Sequence, residues 1–149
     1  MLQLPAMTTG ASRDIVAIDD SSLSSRLPWR GNVYERRVVR VIDGDTIRVA
    51  IGIWPDEEVA AIRVRGVDTP ELKAKCPEEH ALAQKAKAFT AGFLPAGSIV
   101  ILRKIKAVRY RGRYDADVQR SDGHELAAAL IGAGLARPYE AERRAGWCD

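Results

Sequence analysis

Runs of β-branched residues broken by single polar positions dominate the first half of the chain. Val38-Val-Arg-Val-Ile42, Thr46-Ile-Arg-Val-Ala-Ile-Gly-Ile53 and Val59-Ala-Ala-Ile-Arg-Val-Arg-Gly-Val67 each predict a strand. The links between them, Asp43-Gly44 and Trp54-Pro-Asp-Glu-Glu58, are turns too short for a crossover helix, so the three strands form an antiparallel meander. The period then changes. Pro77-Glu-Glu79 opens a helix, with proline in the first turn and acids at the positive end of the dipole. Leu82, Ala86, Phe89 and Phe93 recur at helical spacing as one apolar stripe, and Gly92 with Pro95-Ala-Gly97 ends it. Ser98-Ile-Val-Ile-Leu102 predicts a fourth strand and Asp115-Ala-Asp-Val-Gln119 part of a fifth. Asp122-Gly-His-Glu125 reads as a capping box for a second helix carrying Leu126 and Leu130 and stopped at Gly134. His80 and His124 fall at these helix starts and read as surface residues rather than ligands.

Five strands with a helix between the third and fourth, and a second helix after the fifth, is the order of an OB-fold. That fold is an α+β, five-stranded Greek-key barrel. Residues 1–30 are rich in Ser, Asp and Thr, show no sustained period and read as a flexible arm. The barrel domain is expected over 33–139, with 140–149 as a tail.

Composition adds limits more than direction. Hydrophobic residues make up 46% of the 149 positions and charged ones 29%, as in ordinary soluble domains. The net charge of +3 selects no partner, but its distribution is uneven. Arg103, Lys104, Lys106, Arg109, Arg111 and Arg113 follow one another with no acid among them. Such a run fits either a nucleic-acid surface or a solvated strand face. No run approaches the ~18 apolar residues a spanning helix needs. The N-terminus is a poor secretion signal, because Ile15-Val-Ala-Ile18 is hemmed by Asp14, Asp19 and Asp20, so the sequence as given reads as cytoplasmic. Cys76 and Cys148 are two thiols in the cytosol or one disulfide in an oxidising compartment, and the sequence does not choose.

Chemistry concentrates in two segments. Val41-Ile-Asp-Gly-Asp-Thr46 places Asp43 and Asp45 at a strand end, and Arg63-Val-Arg-Gly-Val-Asp-Thr-Pro-Glu71 carries Asp68 and Glu71 past the end of another. A turn at Asp68-Thr-Pro70 requires neither Arg63 upstream nor Glu71 downstream. Carboxylates converging in one pocket repel unless a cation neutralises them. A donor set of oxygens without His or Cys suits Ca²⁺ or Mg²⁺. Arg63 and Arg113 offer guanidinium forks that grip phosphate oxygens through paired hydrogen bonds. Metal, carboxylate base and arginine fork together suit phosphodiester hydrolysis.

On these motifs, with Gly112-Arg113 and the Gly-Leu-Ala ending at Ala136, the chain resembles the staphylococcal nuclease family from about Val38 to Tyr139. The resemblance implies an OB-fold barrel carrying a Ca²⁺-dependent endonuclease that leaves 3′-phosphate ends on DNA or RNA. By position it implies Asp45 and Asp68 as metal carboxylates and Thr69 as a carbonyl ligand. Glu71 becomes the general base, Arg63 and Arg113 the phosphate-binding arginines, and Asp43 a supporting acid. It allows an exported protein, and a monomer is expected. Three departures stand out. Tyr110-Arg-Gly-Arg113 is one residue longer than the family's Tyr-Gly-Arg, which leaves Arg111 as a competitor for Arg113 and Tyr110 as a substrate contact. The loop after Glu71 is short and differs in sequence. Only residues 137–149 follow Ala136, so the family's third, C-terminal helix is expected to be missing. Tyr139 reads either as a stacking partner for a base or sugar or as an ordinary core or surface tyrosine. Trp147 reads as an anchor for the tail. The competing function is a catalytically silent OB-fold module that binds nucleic acid, and behind it a protein-interaction barrel with a structural cation.

Overall fold

The computed structural model describes residues 32–52, 58–109, 112–139 and 146–148. The expected arm at 1–30, the Trp54-Pro55 turn, Tyr110, Arg111 and most of the tail at 140–145 lie outside the described residues.

Strand β1 (Val33–Asp43) is the longest, and it serves two neighbours. Its first half pairs antiparallel with β5 (Ile99–Ala107) and its second half with β2 (Thr46–Ile51). Register shifts between Val38 and Arg40, and again between Val41 and Asp43, bend β1 enough to pass from one side of the barrel to the other. β2 pairs with β3 (Glu58–Val64), completing the antiparallel meander that alternation predicted. β6 (Arg113–Arg120) then pairs antiparallel with β5 and parallel with β3. The order β1-β2-β3-β6-β5 is a closed barrel, and with two helices it is the OB-fold expected from the sequence. Inward positions such as Ile47, Val49, Ile62, Leu102 and Val118 fill it, and Leu126 and Leu130 pack onto that core. No helix of the described residues is long and apolar enough to cross a membrane.

Helix α1 (Pro77–Phe93) starts and ends where proline, acids and glycines predicted, but its buried face is rotated. Glu79, Ala83, Ala86 and Thr90 are buried, whereas Leu82, Phe89 and Phe93 are only partly so. The reason lies in the β1–β2 turn. A Cβ on Gly44 would meet the Ala86 Cβ at 2.7 Å, and the Thr90 hydroxyl donates to the Gly44 carbonyl at 2.7 Å. Small residues face the turn because helix and turn backbones nearly touch there.

Helix α2 (Leu126–Gly132) also corrects an expectation. Its N-cap is Glu125, without a side-chain cap bond, so no capping box forms. Asp122 instead closes the β6–α2 turn, accepting from the His124 amide and pairing with Arg120 at 2.8 Å. Two very short strands, β4 (Val67–Asp68) and β7 (Arg137–Pro138), form a separate ladder that alternation did not predict. Cys76 and Cys148 are joined as a disulfide across 72 positions of sequence.

Candidate active site

The Asp43-Gly44 dipeptide turns the chain, as predicted, and leaves Asp45 at the foot of β2. The Asp45 carbonyl accepts the Val64 amide at 2.9 Å, and Thr46 sits opposite Arg63 in the β2–β3 ladder. Residues two apart on a strand share a face. Ala61 and Arg63 therefore point the same way, away from a core that holds Ile62. Parallel pairing sets Arg113 beside Ala61 and Asp115 beside Arg63. The barrel's one parallel seam thus carries both arginines out onto one face, although 50 positions separate them in the numbering. Gly112, at φ 75°, makes the backbone turn that starts β6, and its carbonyl accepts the Ala61 amide.

A polar pocket of about 150 Å³ forms where these elements meet, lined by Asp43, Asp45, Thr46, Arg63, Thr69, Pro70, Glu71 and Arg113. Arg63 Nη2 lies 3.5 Å from Asp45 Oδ2 and donates to the Val67 carbonyl at 3.4 Å. The Thr46 hydroxyl donates to Asp45 Oδ1 at 3.0 Å, and the Asp45 amide to Asp43 Oδ1 at 3.2 Å. Asp45 is 7% exposed and Asp68 only 2%. Burial, followed by the adjacent Asp45 carboxyl, pushes Asp43 up to about 6. Asp43 and Asp45 thus crowd two carboxyls at one strand end, with Arg63 beside Asp45. An all-oxygen donor set of this kind fits a hard divalent cation.

Most of the sequence-predicted residues come together here. Asp43, Asp45, Arg63, Thr69, Glu71 and Arg113 share the pocket wall. Asp68 lies next to Thr69 in the chain but does not line the pocket; its Oδ2 accepts the Trp147 indole N–H at 3.2 Å. Asp45, Asp68 and Glu71 do not close into a tight cluster. Among the described residues, the only trio of possible ligands within 4.8 Å of one another is Cys76, Glu79 and Cys148, whose sulfurs are in the disulfide. Tyr139 is brought to the site from the far end of the domain. Its amide donates to the Gly66 carbonyl at 2.9 Å, and its ring lies 5.8 Å from the Arg63 guanidinium carbon. A second pocket of about 300 Å³ shares Thr46, Arg63 and Arg113 with the first and adds Arg109. The rest of the basic run, Arg103, Lys104 and Lys106, is exposed on β5.

Glu79 is the residue that sequence reasoning missed. Read as a dipole-complementing acid, it is 7% exposed, and its two carboxylate oxygens accept the amides of Glu71 and Lys75, each at 3.1 Å. It thereby braces the loop that carries Glu71. An acid in the first turn of a helix looks the same in sequence whether it faces water or a loop, so no signal distinguished it.

The fold and site define an OB-fold barrel whose polar pocket combines acids with two arginines on a shared face. A model of the staphylococcal nuclease homologue family matches residues 61–146, more than half of the chain, and the protein belongs to that family. The matched segment contains Arg63, Asp68, Thr69, Glu71, Arg113 and Tyr139; Asp43 and Asp45 precede it and join the site through the β2–β3 ladder. No curated protein matches the chain.

Proposed function

We propose that the protein is a calcium-dependent endonuclease that hydrolyses phosphodiester bonds of DNA or RNA and leaves 3′-phosphate ends. Family membership suggests nuclease activity. The observation that carries the finer reading is the single pocket that gathers Asp45, Arg63, Glu71 and Arg113.

Asp45, Asp68 and the Thr69 carbonyl would hold the cation, with Asp43 supporting them. Bound there, Ca²⁺ would offset negative charge on the acids and on the substrate phosphate as phosphorus becomes five-coordinate. Mg²⁺ is the alternative, but it demands a stricter octahedral shell. Glu71, exposed at the pocket mouth, takes the proton from the attacking water. Arg63 and Arg113 hold the non-bridging oxygens, and one of them stabilises the leaving 5′-oxygen. Tyr139, beside Arg63, and Arg109, in the adjoining pocket, would contact the neighbouring nucleotide. All these groups address phosphate, which carries no base information, so little sequence preference is expected.

The test is to incubate purified protein with supercoiled plasmid and with RNA, in Ca²⁺, in Mg²⁺ and in chelator. Cleavage in Ca²⁺ that chelator abolishes, with 3′-phosphate ends, supports the enzyme. Retarded but intact nucleic acid under every condition would point instead to a binding module using the exposed basic face of β5.

A further inference from the structure

The tail reaches the site by a route that the hydrolytic roles do not require. Trp147 donates its indole N–H to Asp68 Oδ2 across 79 positions of sequence. Two further contacts fix that ring. The Arg137 guanidinium lies over it at 3.7 Å, and Arg137 Nη1 donates to the Gly146 carbonyl at 2.7 Å. Arg137 is itself the β7 partner of Asp68 in the β4–β7 ladder. Asp68, Arg137 and Trp147 therefore close a triangle of backbone pairing, stacking and hydrogen bond, with the carboxylate at one corner.

The next residue supplies the anchor. Cys148 is bonded to Cys76, the N-cap of α1, whose Sγ accepts the Glu79 amide at 3.4 Å. Glu79 in turn holds the amides of Glu71 and Lys75. The disulfide thus sits between the Asp68 contact and the Glu71 loop. A pocket of about 350 Å³, lined by Glu71, Lys73, Lys75, Glu79 and the tail, joins the two.

We propose that Trp147, pinned by the Cys76–Cys148 disulfide, is a positioning residue for Asp68, so that the oxidation state of this bond sets the affinity of the site for its cation. The inference rests on the cation-binding reading above. An indole N–H can only donate, so its bond to Asp68 Oδ2 fixes the orientation of that carboxylate. Partners that orient a ligand in this way typically account for ~10–100-fold in metal affinity. Without the disulfide, Gly146 and Trp147 are held, among the described residues, only by the non-covalent contacts to Arg137 and Asp68. Reduction by a dithiol delivers two electrons and two protons, opens the bond to two thiols, and converts the reductant to its own cyclic disulfide.

The experiment titrates CaCl₂ alone into the full chain by calorimetry, comparing wild type, Asp68→Asn and Trp147→Phe, each oxidised and after dithiothreitol. Phenylalanine retains an aromatic ring for Arg137 to stack on, smaller than indole, and has no N–H to donate. Loss of binding in Asp68→Asn establishes that the titration reports this site. The expected result is a calcium Kd raised roughly 10-fold in oxidised Trp147→Phe, with Tm in chelator little changed. Reduction should raise the wild-type Kd by a similar factor and add little in Trp147→Phe, because both act through one hydrogen bond. Wild-type affinity in Trp147→Phe, or equal effects of reduction in both proteins, overturns the proposal while the cation reading stands. An oxidised wild type that takes up no calcium removes the cation reading itself, and the proposal with it.

Discussion

Glu71→Gln lowers the turnover of phosphodiester cleavage by roughly 10²–10⁴-fold, the range that a positioned general base contributes. The substitution keeps the shape of the side chain and removes its capacity to take a proton. Glu71 is exposed, and it is the Glu71 amide, untouched by the change, that anchors the loop to Glu79. Stability should therefore stay within about 0.5 kcal/mol, as for most surface substitutions. Single-turnover rates on plasmid DNA, read beside thermal melts, separate the two effects. Wild-type rates in the variant would move the base assignment to another group.

Arg63→Lys is the second large effect, a fall of roughly 10²–10³-fold in turnover if its fork serves the transition state as an oxyanion donor does. Charge is conserved, so encounter with the polyanion should change little and KM should rise less than kcat falls. Lysine cannot reproduce the geometry that arginine has here, within reach of Asp45 Oδ2, the Val67 carbonyl and the Tyr139 ring. Arg113→Lys supplies the comparison, since that residue faces the same pocket from β6 and is exposed. A wild-type kcat in Arg63→Lys would show that charge alone suffices and that the bidentate grip is not used.

What the sequence disclosed, and what it withheld, follows from the range of each interaction. The meander was legible because β-branched runs and the Asp43-Gly44 turn are local signals. The two acid-bearing motifs were legible because each is short and contiguous. The face of α1 was misread because burial there is decided by Gly44, whose close approach to Ala86 selects small side chains over Leu82 and Phe89. The capping box failed because Asp122 found Arg120 and the His124 amide first. Glu79 and Trp147 were not legible as parts of the site at all. Their partners are a loop amide eight positions back and a carboxylate 79 positions back, and no periodicity encodes such pairings. Cysteine count left the disulfide open, since only the fold brings the Cα atoms of Cys76 and Cys148 to 6.0 Å.

The central claim is that Asp45 and Asp68 share one divalent cation in front of two arginines. Crystals of the oxidised protein soaked with CaCl₂ and a nucleoside 3′,5′-bisphosphate test it most directly. The account predicts a single calcium peak with carboxylate oxygens of Asp45 and Asp68 about 2.4 Å away, and a phosphate facing Arg63 and Arg113. A peak elsewhere, or a bisphosphate bound away from both guanidinium groups, would contradict it.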